Sequence, residues 1–326
     1  MGTSACTICH TAGKMVAVSL LECRCCLFEL GRVWRNEVAK MKSLFEPILD
    51  CVTPEIHPIP RGQIFCGDSV QVLKRLEADT VQTCVTSPPY WGLRDYGIAG
   101  QIGAEMNFED YVANLVAVFR EVRRVLKPDG TLWLNVGDSY TSGGRKWRQA
   151  DKKNPARGMD YRPPTPEGLK PKDLIGVPWR LAFALQADGW YLRSDIVWHK
   201  PNGHPESVKD RPSRVHEYVF LLTKEERYKY HYERVKEPAL NGDTKGLRSV
   251  WSLNTEPMKE KHFAAFPTKL VSRCLEAGSD EADVVLDPFL GSGTVGVVAQ
   301  LLRRQFIGIE LSKEYVEIAK RRLGWD

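Results

Sequence analysis

No stretch of this 326-residue chain approaches 18 consecutive apolar residues, so a membrane-spanning helix is not expected. A secretory leader is not expected either. The short apolar run from Val16 to Leu21 is followed by Glu22 and Arg24, with no small-residue cleavage site. Met1-Gly2 invites N-terminal acylation, but the sixth position, where that pattern wants Ser or Thr, holds Cys6. These absences make a cytoplasmic protein the expectation. There is no internal repeat. Net charge is small: 46 basic residues against 41 acidic leave +5, too little to name a partner unless it is concentrated somewhere. With 43% hydrophobic and 27% charged residues, the composition is that of an ordinary globular protein.

Cysteine is abundant only at the front. Six of nine cysteines lie within the first 51 residues: Cys6, Cys9, Cys23, Cys25, Cys26 and Cys51. Cys6, Cys9, Cys23 and Cys26 are the one set with some zinc-site flavour. An appendage of reduced thiols is preferred, and no metal is expected. Cys66, Cys84 and Cys274 sit in apolar runs and read as small core residues. Residues 1–60 carry six basic and six acidic side chains. A helix is predicted over 27–45, followed by a linker broken by Pro47, Pro54, Pro58 and Pro60.

From residue 61 the pattern alternates. Strands are predicted at 63–66 (short and buried), 81–86, 131–136, 191–198, 217–223, 284–286 and 306–309. Helices are predicted at 69–76, from the N-cap Asn107 to Leu126, at 174–187, at 294–302, and at 312–323 with Ser312 as cap. Residues 236–260 read as irregular. Such alternation argues for an open, mostly parallel α/β sheet. In such sheets ligands bind beyond the carboxyl ends of the strands. Three strand ends carry unusual chemistry: Asp68, Ser87-Pro-Pro-Tyr90, and the run from Asp287 to Thr294.

Gly291-Ser-Gly293-Thr-Val-Gly296 follows a strand and opens a helix, and Glu310 lies 19 residues beyond Gly291. That is a dinucleotide-binding fingerprint, so an NAD-dependent oxidoreductase is one candidate. Asp287 argues against it, because a carboxylate before the loop repels a pyrophosphate and suits a ligand with an ammonium group. Few residues follow the loop, which places it at the end of a permuted sheet. In Thr86-Ser-Pro-Pro-Tyr-Trp91, two prolines fix the backbone and leave carbonyls as rigid acceptors beside a hydroxyl and aromatic rings. That cluster suits a planar ring bearing an amino group.

With these two motifs in this order, residues 61–326 resemble the permuted beta group of DNA amino-methyltransferases. The similarity extends to Gly67-Asp68, to Leu132–Asp138, to Ile196–Pro201, to His262–Pro267 and to Ile307–Glu310. The resemblance implies a Rossmann-like methyltransferase fold with circularly permuted motif order and inserted basic loops, and S-adenosylmethionine as cofactor. It implies that Asp287 binds the methionine ammonium, that Phe289, Gly291, Gly293 and Thr294 shape the pocket, that Glu310 holds the ribose hydroxyls, and that Asp68 accepts from the adenine amine. Ser87 and the Pro88 carbonyl would bind the target amine within the Ser87-Pro88-Pro89-Tyr90 turn. Tyr90 would stack on a flipped base, with Trp198 a candidate for its other face. Ser in the first motif position favours cytosine N4 over adenine N6. A cytosine C5 enzyme needs a Pro-Cys nucleophile, and no Pro-Cys dipeptide occurs. Residues 1–60 fall outside the resemblance, either as an added module or as an overlong start with Met41 as the true first residue.

Double-stranded DNA is the expected partner, and the +5 charge can be located. Residues 140–172 hold nine basic side chains, among them Arg145, Lys146, Arg148, Lys152 and Lys153, against three acidic ones. That is +6 in one segment, as a phosphate-contacting loop requires. Residues 200–261, with Arg211, Arg214, Lys245, Arg248 and Trp251, are the expected target-recognition region. A homodimer and a cognate restriction endonuclease are further partners that the resemblance suggests.

Overall fold

The computed structural model describes residues 62–325 apart from 94, 96, 142–162, 204–205, 240–241 and 257–265. The expectations for the cysteine-rich front, and for Arg145, Lys146, Arg148, Lys152 and Lys153, fall outside the described residues.

The first half runs β1 (Gln63–Cys66), α1 (Ser69–Leu73), β2 (Val81–Thr86), α2 (Phe108–Val125), β3 (Leu126–Val136) and α3 (Val177–Ala187). There follow β4 (Tyr191–His199), β5 (His216–Thr223), β6 (Glu237–Pro238), β7 (Thr244–Lys245) and β8 (Val250–Ser252). The chain closes with α4 (Thr268–Gly278), β9 (Val284–Asp287), α5 (Thr294–Leu301), β10 (Gln305–Glu310) and α6 (Lys313–Leu323). Asn107 caps α2 by accepting from Asp110 N at 2.8 Å, and the Ser312 hydroxyl caps α6. Both caps stand where the sequence puts them.

Eight strands form one sheet in the order β1-β10-β9-β2-β3-β5-β4-β8. Every neighbouring pair is parallel except β3/β5 and β4/β5. β2 is buried along its whole length and β3 from Gly130 onward, as expected of strands covered on both faces. One apolar layer packs α2 and α3 against the sheet through Tyr111, Leu115, Phe119 and Leu181. The other packs α4 and α5 through Leu270, Val271, Val295 and Val298.

Five expectations need correction. The glycine loop is near the end of the chain but not of the sheet, because its strand β9 lies between β10 and β2. β1 is an edge strand with exposed ends, not a buried one, and Cys66 is accordingly exposed while Cys84 and Cys274 are buried. The segment 236–260 contributes β8, which pairs with β4. Helix α3 starts at Val177, not 174, because Gly176 ahead of it is left-handed with φ 78°. Helix α4 has no counterpart among the predicted helices, although Leu270, Val271, Cys274 and Leu275 share one buried face.

Candidate active site

Four neighbouring parallel strands, β1, β10, β9 and β2, end on the same side of the sheet. Their carboxyl ends deliver Asp68, Glu310, Asp287 and Ser87 to one cavity. Pro88, Pro89, Tyr90, Phe289, Gly291 and Thr294 also line it. Residues more than 200 positions apart in sequence thus share a wall because the β9-α5-β10 unit inserts between β1 and β2.

Asp287 is 2% exposed. Its Oδ1 accepts from Thr86 Oγ1 at 2.7 Å and from Phe289 N at 3.0 Å. Burial raises its carboxyl to about 7, with the Glu310 charge adding to the shift and the two hydrogen bonds opposing it. Glu310 is also raised by burial, against backbone hydrogen bonds to its charged form. Its Oε2 accepts from Gly291 N and its Oε1 from Ser312 N, both at 2.8 Å. Glu310 therefore ties the glycine loop to the start of α6 and still has lone pairs to offer. Asp68 caps α1, accepting from Gln71 N at 2.9 Å. Ser69 Oγ donates to Pro288 O at 2.7 Å, which joins that corner to the Asp287 turn.

The loop itself is held from α6. Arg322 Nη1 donates to Ser292 O at 2.6 Å, to Ser292 Oγ at 2.8 Å and to Thr294 Oγ1 at 3.3 Å. Gly293 has φ 83°, where a side chain is strained, and a Cβ there would stand 3.0 Å from Ala319 Cβ, a tight contact. The Ser-Pro-Pro-Tyr turn is fixed from α2, where the buried Tyr111 Oη donates to Pro89 O at 2.9 Å. No protein donor takes the Pro88 carbonyl among the described residues.

The cavity lining contains the carboxylates of Asp68, Asp287 and Glu310 and no basic side chain among the described residues. A pyrophosphate would meet negative charge, and the Gly291 N–H that could greet it is already bound to Glu310. The residues fit a cationic ligand with hydroxyl and amine donors, as S-adenosylmethionine is, rather than NAD.

Other predicted residues lie elsewhere. Trp198 does not face the cavity. It is 2% exposed, its Nε1 donates to Leu253 O at 2.8 Å, and it belongs to the core layer around α4. A strand indole beside an apolar run is packed here, and the letters alone do not distinguish the two fates. Trp251 is likewise buried, 6.3 Å from the Trp133 ring. Arg211 stacks 3.8 Å from the Tyr140 ring and pairs with Glu206, and Arg214 pairs with Asp138 at 3.5 Å. Residues that sequence reasoning passed over include Thr86, Tyr111, Phe266 and Glu217. Thr86, adjoining the turn, and Phe266, within the His262–Pro267 run, carried a local signal; Tyr111 and Glu217 carried none.

A family profile for DNA methylases matches residues 81–321. The chain is 58% identical over 283 residues to the type II methyltransferase M.SmaI of Serratia marcescens, covering 86% of this chain and 96% of that protein. It is 60% identical over 260 residues to M.Cfr9I of Citrobacter freundii, covering 80% and 87%. The fold is shared with the PvuII cytosine-N4-specific DNA methyltransferase at TM-score 0.61 and 22% identity, over 80% of this chain and 86% of that one. It is also shared with a Thermus thermophilus protein solved with S-adenosyl-L-methionine, at TM-score 0.57 and 24% identity, over 81% and 93%. The permuted order of motifs, the carboxylate-lined cavity and these similarities lead to one conclusion: the chain belongs to the N6/N4 DNA methylase family.

Proposed function

We propose that residues 61–326 transfer a methyl group from S-adenosylmethionine to the exocyclic N4 amine of a cytosine flipped out of duplex DNA. The observation that carries this is the meeting of Asp68, Asp287 and Glu310 with Ser87 and Tyr90 in one cavity. Bound S-adenosylmethionine supplies an electrophilic methyl on a sulfonium. Asp287 binds the ammonium, which gives a buried carboxylate the cation it lacks. Glu310 receives ribose hydroxyls, and Asp68 accepts from the adenine amine. Phe289, Gly291, Gly293 and Thr294 close around the ligand.

On the substrate side, Ser87 Oγ and the Pro88 carbonyl accept from the target amine, and Tyr90 stacks on the base. The amine is a poor nucleophile because its lone pair is delocalised into the ring. Acceptors favour a more pyramidal nitrogen and stabilise the charge it develops. Holding the reacting atoms in line supplies roughly 7–11 kcal/mol, against a few for extruding the base. Ser at position 87, where related enzymes carry Ser, Asp or Asn, supports cytosine over adenine. Phosphate contacts come from the basic segment 140–172, and the biological setting is protection of a site against a cognate endonuclease.

Mass spectrometry of nucleosides from DNA methylated in vitro tests this directly. N4-methylcytosine is expected, and it disappears in Ser87→Ala. N6-methyladenine without N4-methylcytosine overturns the choice of base.

A further inference from the structure

Three groups converge on the carboxylate of Glu217, on β5. Tyr90 Oη donates to its Oε2 at 3.0 Å, and Asn135 Nδ2 reaches the same oxygen at 3.2 Å. Lys200 Nζ pairs with Oε1, and each partner of that ion pair is only 18% exposed. Lys200 is itself seated 4.1 Å from the centre of the Trp198 ring, which gives the buried indole a role as the lysine's support. The backbone makes room for the arrangement at Gly137. A Cβ there would lie 2.8 Å from Tyr90 Cε2 and 3.3 Å from Glu217 Cδ. None of these residues belongs to the two motifs except Tyr90, and all the others come from β3, β4, β5 and the loops adjoining them.

The network has a direction. A carboxylate accepts and cannot donate, so the Tyr90 hydroxyl proton is committed to Glu217. Tyr90 Oη then has only lone pairs to present to Ser87 Oγ, which lies 3.5 Å away. That separation is long for two hydroxyls, but it leaves Ser87 one role in the pair, that of donor. With its proton turned toward Tyr90, the Ser87 hydroxyl shows lone pairs to the cavity. An isolated hydroxyl rotates freely and offers either its proton or its lone pairs. An amine about to be methylated needs the lone pairs.

We infer that Glu217, held by Lys200, is a positioning residue that sets the direction Ser87 to Tyr90 to Glu217 and thereby makes Ser87 an acceptor toward the target amine. The inference rests on the proposed function and extends it to residues outside the motifs. No bond to the chain is made or broken; the network only fixes where a proton points. It explains how a neutral serine does work that an acceptor-only carboxylate would otherwise do.

The direction can be reversed. In Glu217→Gln, Lys200 claims the amide oxygen and the amide N–H₂ faces Tyr90. Tyr90 then turns its proton toward Ser87, and Ser87 points its own into the cavity. Tyr90→Phe keeps the ring and merely releases Ser87.

The test is the single-turnover rate of methyl transfer from labelled S-adenosylmethionine to duplex DNA, using the full chain, with dissociation constants measured alongside. Tyr90→Phe is expected to slow the step about threefold to tenfold. Glu217→Gln should slow it more, and the double variant should recover to the Tyr90→Phe rate. Both ligand affinities should stay within about twofold, which a merely structural defect would not allow. Additive losses in the double variant overturn the inference. So do single variants near the wild-type rate while Ser87→Ala is inactive, an outcome that leaves the proposed function standing. Should Glu217→Gln fail to fold by circular dichroism, the comparison of Tyr90→Phe with Ser87→Ala still decides. Absence of methyl transfer to DNA by the wild type overturns both readings. N6-methyladenine as product overturns only the choice of base, and the rate ratios are then judged on that product.

Discussion

At the residue scale the cavity is governed by a carboxylate kept from water. Asp287 titrates at about 7 in the folded protein against 3.8 for an ordinary aspartate, because burial penalises its charge. Two consequences follow with opposite signs. Between these values the folded state holds a proton that the unfolded chain has released, so rising pH costs stability until about pH 7. Asp287→Asn removes that cost and should melt a few degrees higher than wild type near pH 8, with a smaller gain near pH 5, as measured by calorimetry. A cationic ligand needs the ionised form. The affinity for S-adenosylmethionine should therefore fall toward about tenfold per pH unit below 7, and titration calorimetry should find this dependence gone, along with most of the binding, in Asp287→Asn. An affinity flat from about pH 5 to 8 would contradict the assignment.

At the element scale, caps and clamps separate stability from binding. Asn107→Ala removes the hydrogen bond to Asp110 N at the start of α2. It should cost about 1 kcal/mol in denaturant unfolding and leave ligand affinity unchanged. Arg322→Met does the reverse. It removes the three hydrogen bonds from α6 to Ser292 and Thr294, so it should weaken S-adenosylmethionine binding several-fold with a smaller loss of stability. The caps were legible because Asn107 and Ser312 act on backbone within the next turn. α4 was not. It follows Pro267 without a side-chain cap of its own, and Gly278 stands at its end. That glycine is in fact a close approach, since a Cβ there would lie 2.7 Å from Thr131 Oγ1.

For the whole molecule, charge and topology do different work. The net charge is only +5, but the segment 140–172 alone carries +6. Replacing Arg145, Lys146, Arg148, Lys152 and Lys153 by Gln should flatten the slope of log affinity for duplex DNA against log salt by up to about four, as fluorescence anisotropy would measure. An unchanged slope would move the phosphate contacts elsewhere. Topology gathers the site, because the unit that follows α4 threads two strands between β1 and β2. Among the described residues no helix is long and apolar enough to cross a membrane.

The sequence by itself determined the alternation of strands and helices, the two caps, the two motifs and the carboxylates at the strand ends. Each of these is written in neighbouring residues, through periodicity, backbone restriction or short-range hydrogen bonds. It did not determine which aromatic lines the cavity or which side chains contact the Ser-Pro-Pro-Tyr turn. Trp198 closes the apolar run Ile196-Val197 at the end of β4, a setting that suits a site residue as well as a core one, yet it points into the layer around α4. Glu217 reaches Tyr90 across 127 positions. Those pairings depend on β5 lying antiparallel between β3 and β4. The register of one strand against another is set by the burial of whole faces, so only the tertiary structure could decide them.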